Sequence, residues 1–221
     1  MRSRGVYERP WLAVGLALAA VVVSSILTGA ASATTLDGVA KTGLIALAAT
    51  GPLLLAAIVV PWVTTSAQLS TAVGLHRFSG LDLLLGLSAG IVLRAVAELN
   101  TPTSGGWSIG RAGAGVLLSL VIAVAVSPFV EELFFRGVLQ RALGDALRPS
   151  GPAVAASISV VSSSAVFAAL HSTTGASVAA LSTLLLVGFG CGALVAMTGR
   201  LAAAVIAHHV YNLIGVGLLL L

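Results

Sequence analysis

The sequence predicts an all-α membrane protein, a polytopic bundle of about seven transmembrane helices. Three observations lead there. Of the 221 residues, 58% are hydrophobic and 8% charged, against about 45–50% and about 25% in soluble globular chains. Several apolar runs reach the roughly 18–20 residues needed to cross a hydrocarbon core. Short polar stretches separate them, and no segment reads as a soluble module. The whole chain, 1–221, is therefore expected to form one integral membrane domain with the lipid bilayer as its surroundings. The net charge of +4 does not point to nucleic acid, because the basic residues are dispersed along the spans' ends and read as a topology signal.

The first span runs from Trp11 to about Ala30, after Arg2, Arg4 and Arg9. Ala31-Ser32-Ala33 resembles a signal-peptidase site, but the apolar run exceeds the roughly 7–15 residues of a signal core, which favours a retained span. The second, about Thr42 to Trp62, contains Pro52 and ends near Pro61, so a kink near Pro52 is expected. Thr64 to Gly80 is of mixed polarity and reads as a loop or short interfacial helix, with His76 as a solvated residue. The third span, about Leu81 to Leu99, starts with Asp82; near its end Arg94 and Glu98 are spaced to pair along one face and could also border a substrate entrance. Asn100 to Arg111 is a loop.

The fourth helix extends from about Ala112 to about Leu147, where Pro149 and Pro152 break it; the fifth (about Ala153 to Leu170), sixth (about Ala176 to Met197) and seventh (Leu201 to Leu221) follow with short connections. With a cytoplasmic amino terminus, eight arginines (2, 4, 9, 77, 136, 141, 148 and 200) fall towards the inner side and only Lys41 and Arg111 outside, as the positive-inside rule requires. Trp11, Trp62 and Trp107 stand where interfacial anchors would. Cys191, the single cysteine, reads as a small core residue.

The fourth helix carries the anomaly. Glu131 and Glu132 follow fifteen uncharged positions, Gly113 to Ser127, and an ionisable group at membrane depth is a functional-site hypothesis by default. Arg136 lies four residues after Glu132, the favourable spacing for an acid followed by a base. Glu132 with Arg136 thus reads as a structural ion pair, and Glu131 as the carboxylate left facing the interior, with Phe135 on its side. A general base needs such a position. Downstream, His171 stacks one turn after Phe167, and His208 one turn before Asn212, while His209 points elsewhere. At about 1.5 Å per residue from the turn near Ser150, Glu131 lies roughly 28 Å and His171 roughly 31 Å along their helices, so the two can meet. A lone intramembrane histidine is usually a hydrogen-bonded core residue; three helices offering polar groups at one level suggest a site.

The run Glu131-Glu-Leu-Phe-Phe-Arg-Gly137, the Phe167-x-x-x-His171 pair and the His208-x-x-x-Asn212 pair, in this order, resemble the three motifs of the CPBP family of intramembrane proteases. That family includes the type II CAAX prenyl endopeptidases and bacterial bacteriocin-processing and immunity proteins. The likeness covers a core of 111–216; the three spans within 1–110 match only in being apolar. It implies that Glu131 and His171 activate water and that His208 and Asn212 stabilise the oxyanion. Glu132, Arg136, Phe135 and Phe167 would support them. No metal is favoured, since the Glu131 and His171 pair suffices for general-base chemistry; if zinc is used, its ligands would be Glu131, His171 and His208. The substrate expected is a membrane-embedded or lipid-anchored peptide, and a prenyl group is not implied, because the Ala- and Gly-rich, Arg-over-Lys composition looks like that of a bacterial cell-membrane protein. Two other classes fit the composition: a non-catalytic immunity or partner protein on the same scaffold, and a small proton-coupled transporter, which the absence of an inverted repeat disfavours.

Overall fold

A computed structural model describes residues 5–103, 113–172 and 177–220. Arg2, Arg4, Trp107, Arg111, Ala112, Ala176 and Leu221 of the reading above lie outside them. Among the described residues, seven helices are long and apolar enough to cross a membrane: α1 (Pro10–Ser32), α2 (Gly38–Thr64), α4 (Gly80–Asn100), α5 (Ala114–Ala146), α6 (Pro152–Ser172), α7 (Val178–Thr198) and α8 (Ala202–Leu219). A short helix, α3 (Leu69–Val73), interrupts the segment after α2, and His76 beyond it is exposed. Trp62 is 81% and Leu99 87% exposed, which suits side chains bathed in lipid rather than water.

Charges inside the bundle are paired or buried. Asp82 closes a capping box with Ser79 at the start of α4 and lies 3.0 Å from Arg200 before α8. Arg141 donates to the carbonyls of Thr71 and Gly199, Arg148 pairs with Asp145, and the Tyr7 N–H donates to Asp145 at 2.8 Å. One end of the bundle is thereby basic, and the strap Gly5–Arg9 is bound there: Glu8 and Arg9 donate backbone N–H bonds to Thr64. Lys41, in contrast, bonds Thr34 in the turn at the opposite end.

α5 is the hub, touching α1, α2, α6, α7 and α8. The hairpin α1–α2 covers one side of it; α4 and α8 pack together along their lengths on another. That second pairing has a sequence cause in Gly86-x-x-x-Gly90: a Cβ on Gly90 would come within 2.6 Å of the Ala207 carbonyl. Small residues four apart let two backbones approach where lipid supplies no hydrophobic drive. The zipper fixes α8 beside α5 and sets the depth of His208.

Candidate active site

Proline at position 128 shapes the site before any of the predicted site residues does. α5 is not a uniform α-helix: two π turns, Ile122–Val126 and Phe135–Gln140, flank an α-helical piece, Ser127–Phe134, that holds both glutamates. Ser127 N–H reaches back five residues to the Ile122 carbonyl. By the same spacing the Ala123 carbonyl would look to residue 128, a proline with no N–H to give. The amide of Asn212 donates to it instead, at 2.7 Å. Beside it, His209 places Nε2 3.2 Å from the Ala125 carbonyl, with Nδ1 2.7 Å from Val205 on its own helix.

The second π turn is wholly buried. Its Phe135 carbonyl accepts from Ser163 of α6 at 2.9 Å, and its Gly137 carbonyl accepts from the Tyr7 hydroxyl at 3.4 Å. Arg136 and Gln140, four apart, donate to Gly188 and Gly192, four apart on α7. Arg136 lies 3.0 Å from Glu132 in a pair with no exposure on either side. Its guanidinium also stacks on Phe167, 4.8 Å from the ring centre, so the neighbouring α6 ring helps hold the buried cation. Phe135 meets Phe167 edge to face at 5.3 Å.

The structure brings together Glu131, His171, His208 and Asn212 around one cavity of about 200 Å³. His171 Nδ1 donates to the Phe167 carbonyl at 2.8 Å, which turns Nε2 towards Glu131 at 4.0 Å. That gap is too wide for a hydrogen bond and close to the span of a bridging water. His208 places Nε2 3.7 Å from Glu131 and Nδ1 2.8 Å from Glu132, so it touches both carboxylates, a link across helices that spacing along α5 does not reveal. Asn212 lines the cavity while its amide is engaged at Ala123. Tyr211, on the same cavity wall, carries Arg94 over its ring at 5.1 Å, and Arg94 pairs with Glu98. Ser127 and Tyr211 were not singled out by the motifs; the position of Ser127 directly before Pro128 was the available signal.

Two donor sets are of metal-binding type, and among the described residues only the second brings its ligand atoms within 4.8 Å of one another. Glu131, His171 and His208 present one carboxylate and two ring nitrogens to a common space, a combination known to hold catalytic zinc. Glu132, Cys191 and His208 also come together, fully buried, but Arg136 already neutralises that carboxylate and Cys191 is directed at the Ala204 carbonyl. A further cavity of about 360 Å³ opens at the basic end between Gln140, Arg141 and Asp145 and contains none of the predicted site residues.

Residues 113–214, which carry all of these motifs, match the family model described as Type II CAAX prenyl endopeptidase Rce1-like. This segment, 102 of the 221 residues, is similar to that family. The chain matches no curated protein and no solved structure. A segment similar to a protease family lies among seven helices long and apolar enough to cross a membrane, as in an integral membrane protein. α1 to α4 lie outside the Rce1-like match.

Proposed function

We propose that the protein is an intramembrane endopeptidase that hydrolyses membrane-embedded or lipid-anchored peptides, with Glu131 as general base. The observation that carries this reading is the facing of Glu131 and His171 across 4.0 Å. Carboxylate oxygen and Nε2 both accept, so a water between them has both hydrogens held and presents a lone pair to a peptide carbonyl. Glu131 takes a proton from that water as its oxygen bonds to the carbonyl carbon. The carbonyl oxygen becomes an oxyanion, then the carbon–nitrogen bond breaks and the proton passes to the departing amine.

His208 and the remaining amide hydrogen of Asn212 serve the oxyanion. Glu132 accepts from His208 Nδ1 at 2.8 Å, which holds the ring with Nε2 towards Glu131 and the cavity. The Glu131 and His171 pair provides the base without a metal; were zinc bound, Glu131, His171 and His208 would hold it and it would supply a more acidic water. We place the basic end at the cytoplasmic face of a bacterial membrane, in keeping with the positive-inside rule.

The test compares peptide profiles of membranes carrying wild-type protein and Glu131→Gln. Cleavage products present with the first and missing with the second, at equal protein levels, are expected; identical profiles would overturn the proposal. Retained cleavage after chelation separates the metal-free mechanism from a zinc-dependent one.

A further inference from the structure

Arg141 is a cation without a counterion. It stands four residues before Asp145 on α5, a spacing at which the two could pair. Asp145 is already taken, with Oδ1 3.1 Å from Arg148 and Oδ2 accepting the Tyr7 N–H at 2.8 Å. The carboxylates that pair with arginine among the described residues serve Arg94, Arg136, Arg148 and Arg200, and none serves Arg141. Of its five N–H donors, Arg141 gives two to the carbonyls of Thr71 and Gly199.

Arg141 lines the cavity of about 360 Å³ at the basic end, together with Arg148 and Asp145, so the polar part of the lining carries one net positive charge. The first residue of α6, Pro152, also lines it, and the N-terminus of that 21-residue helix adds the positive end of a dipole. The cavity follows α6 inwards from Pro152 to Ser159, roughly 10 Å of helix. Along that course Ala156 of α6 faces Val195 and Ala196 of α7. Ser159 and Gln140, at the inner end, spend their donors on the Ala156 and Gly192 carbonyls. A cationic mouth thus leads to an apolar wall, and the arginines are the groups that can receive an anion.

We propose that this cavity binds an anionic phospholipid of the leaflet at the basic end, with its phosphate on Arg141 and Arg148 and the start of an acyl chain between α6 and α7. Basic pockets between membrane helices take such headgroups. Phosphatidylglycerol brings one negative charge and acceptor oxygens to a mouth of one positive charge. A zwitterionic lipid would leave that charge uncompensated, and its ammonium would find Asp145 engaged through both oxygens. Free phosphate would satisfy the arginines and leave the alanine and valine wall uncovered. The site stands whether or not Glu131 cuts peptides.

Native mass spectrometry of the full chain in detergent, titrated with phosphatidylglycerol, reads occupancy without reference to activity. One saturable adduct is expected, about tenfold tighter than that of phosphatidylcholine with the same acyl chains. Arg141→Gln and Arg148→Gln should each weaken it about fivefold, the scale of one basic residue at an anionic headgroup. Ala196→Phe keeps both arginines, occupies the apolar wall and should abolish the adduct. Arg77→Gln removes an exposed arginine that does not line the cavity and should leave binding unchanged. Should Arg141→Gln fail to fold, Arg148→Gln, exposed at its position, and Ala196→Phe carry the same test. Equal binding of the two lipids, or equal weakening by Arg77→Gln and Arg148→Gln, would overturn the site in favour of diffuse surface attraction. An adduct that survives Ala196→Phe, or that excess inorganic phosphate displaces, would overturn the seating of a lipid in the cavity.

Discussion

The two π turns of α5 are built alike and placed differently. Each leaves two carbonyls that meet side chains of other elements: Ser163 and Tyr7 at Phe135 and Gly137, Asn212 and His209 at Ala123 and Ala125. The second turn has every residue buried, whereas the first has none. One end of the glutamate segment is therefore fixed in the core, and the other is held by α8 at the edge of the cavity that Glu131 and His171 line. Damage at the core end should cost folding, and damage at the cavity end should cost turnover.

The largest effect expected is at the core end. Arg136→Met takes the buried cation from Glu132 and leaves it only the contact with His208, and loss of one partner of such a pair costs about 3–5 kcal/mol; thermal unfolding in detergent should show a steep drop in Tm or no folded protein. Glu132→Gln should lower abundance in the same direction, while Glu131→Gln leaves Tm intact and abolishes cleavage. At the cavity end, Asn212→Ala should reduce kcat by about 10²–10³, as removal of an oxyanion donor does, with little change in Tm. Equal Tm losses for Asn212→Ala and Arg136→Met would end the distinction between the turns.

Smaller effects sharpen it. Ser163→Ala removes one buried hydrogen bond and should cost about 1 kcal/mol without changing kcat; the longer bond of Tyr7 makes Tyr7→Phe milder still. The smallest concerns the strap. Hydrogen bonds from the Ser66 hydroxyl and N–H hold the Glu8 carboxyl below its ordinary value of 4.5. A carboxyl lowered on folding contributes stability above its unfolded value and loses it as pH falls through the folded one. Amide exchange around Tyr7 should thus accelerate below about pH 4.5 while that of α6 does not.

How legible the molecule was in its sequence varies with the range of the contact. Apolar runs divided by polar turns predict the spans, and i,i+4 spacing places Arg136 on Glu132 and His171 over Phe167. Contacts between helices are another matter. α2 carries apolar residues all round, so nothing in its pattern tells which face packs on α5. The contact of His208 with both carboxylates depends on how α8 is rotated, which the Gly86 and Gly90 zipper sets from a third helix. Pro128 hints at a disturbed ladder, yet only the backbone shows that the result is a π turn whose loose carbonyl Asn212 occupies. Tyr7 precedes the first span by too little to look like part of a core, and it lies under Gly137.

The α4–α8 zipper also has a meaning in time. Glu132 leaves the ribosome 76 residues before His208, so for that interval α5 sits in the membrane with its glutamates and its loosened carbonyls waiting for α8. Only when the last helix inserts and closes against Gly86 and Gly90 do His208, His209 and Asn212 arrive together. On the hydrolytic reading proposed above, a nascent copy without α8 holds Glu131 and lacks His208 and Asn212.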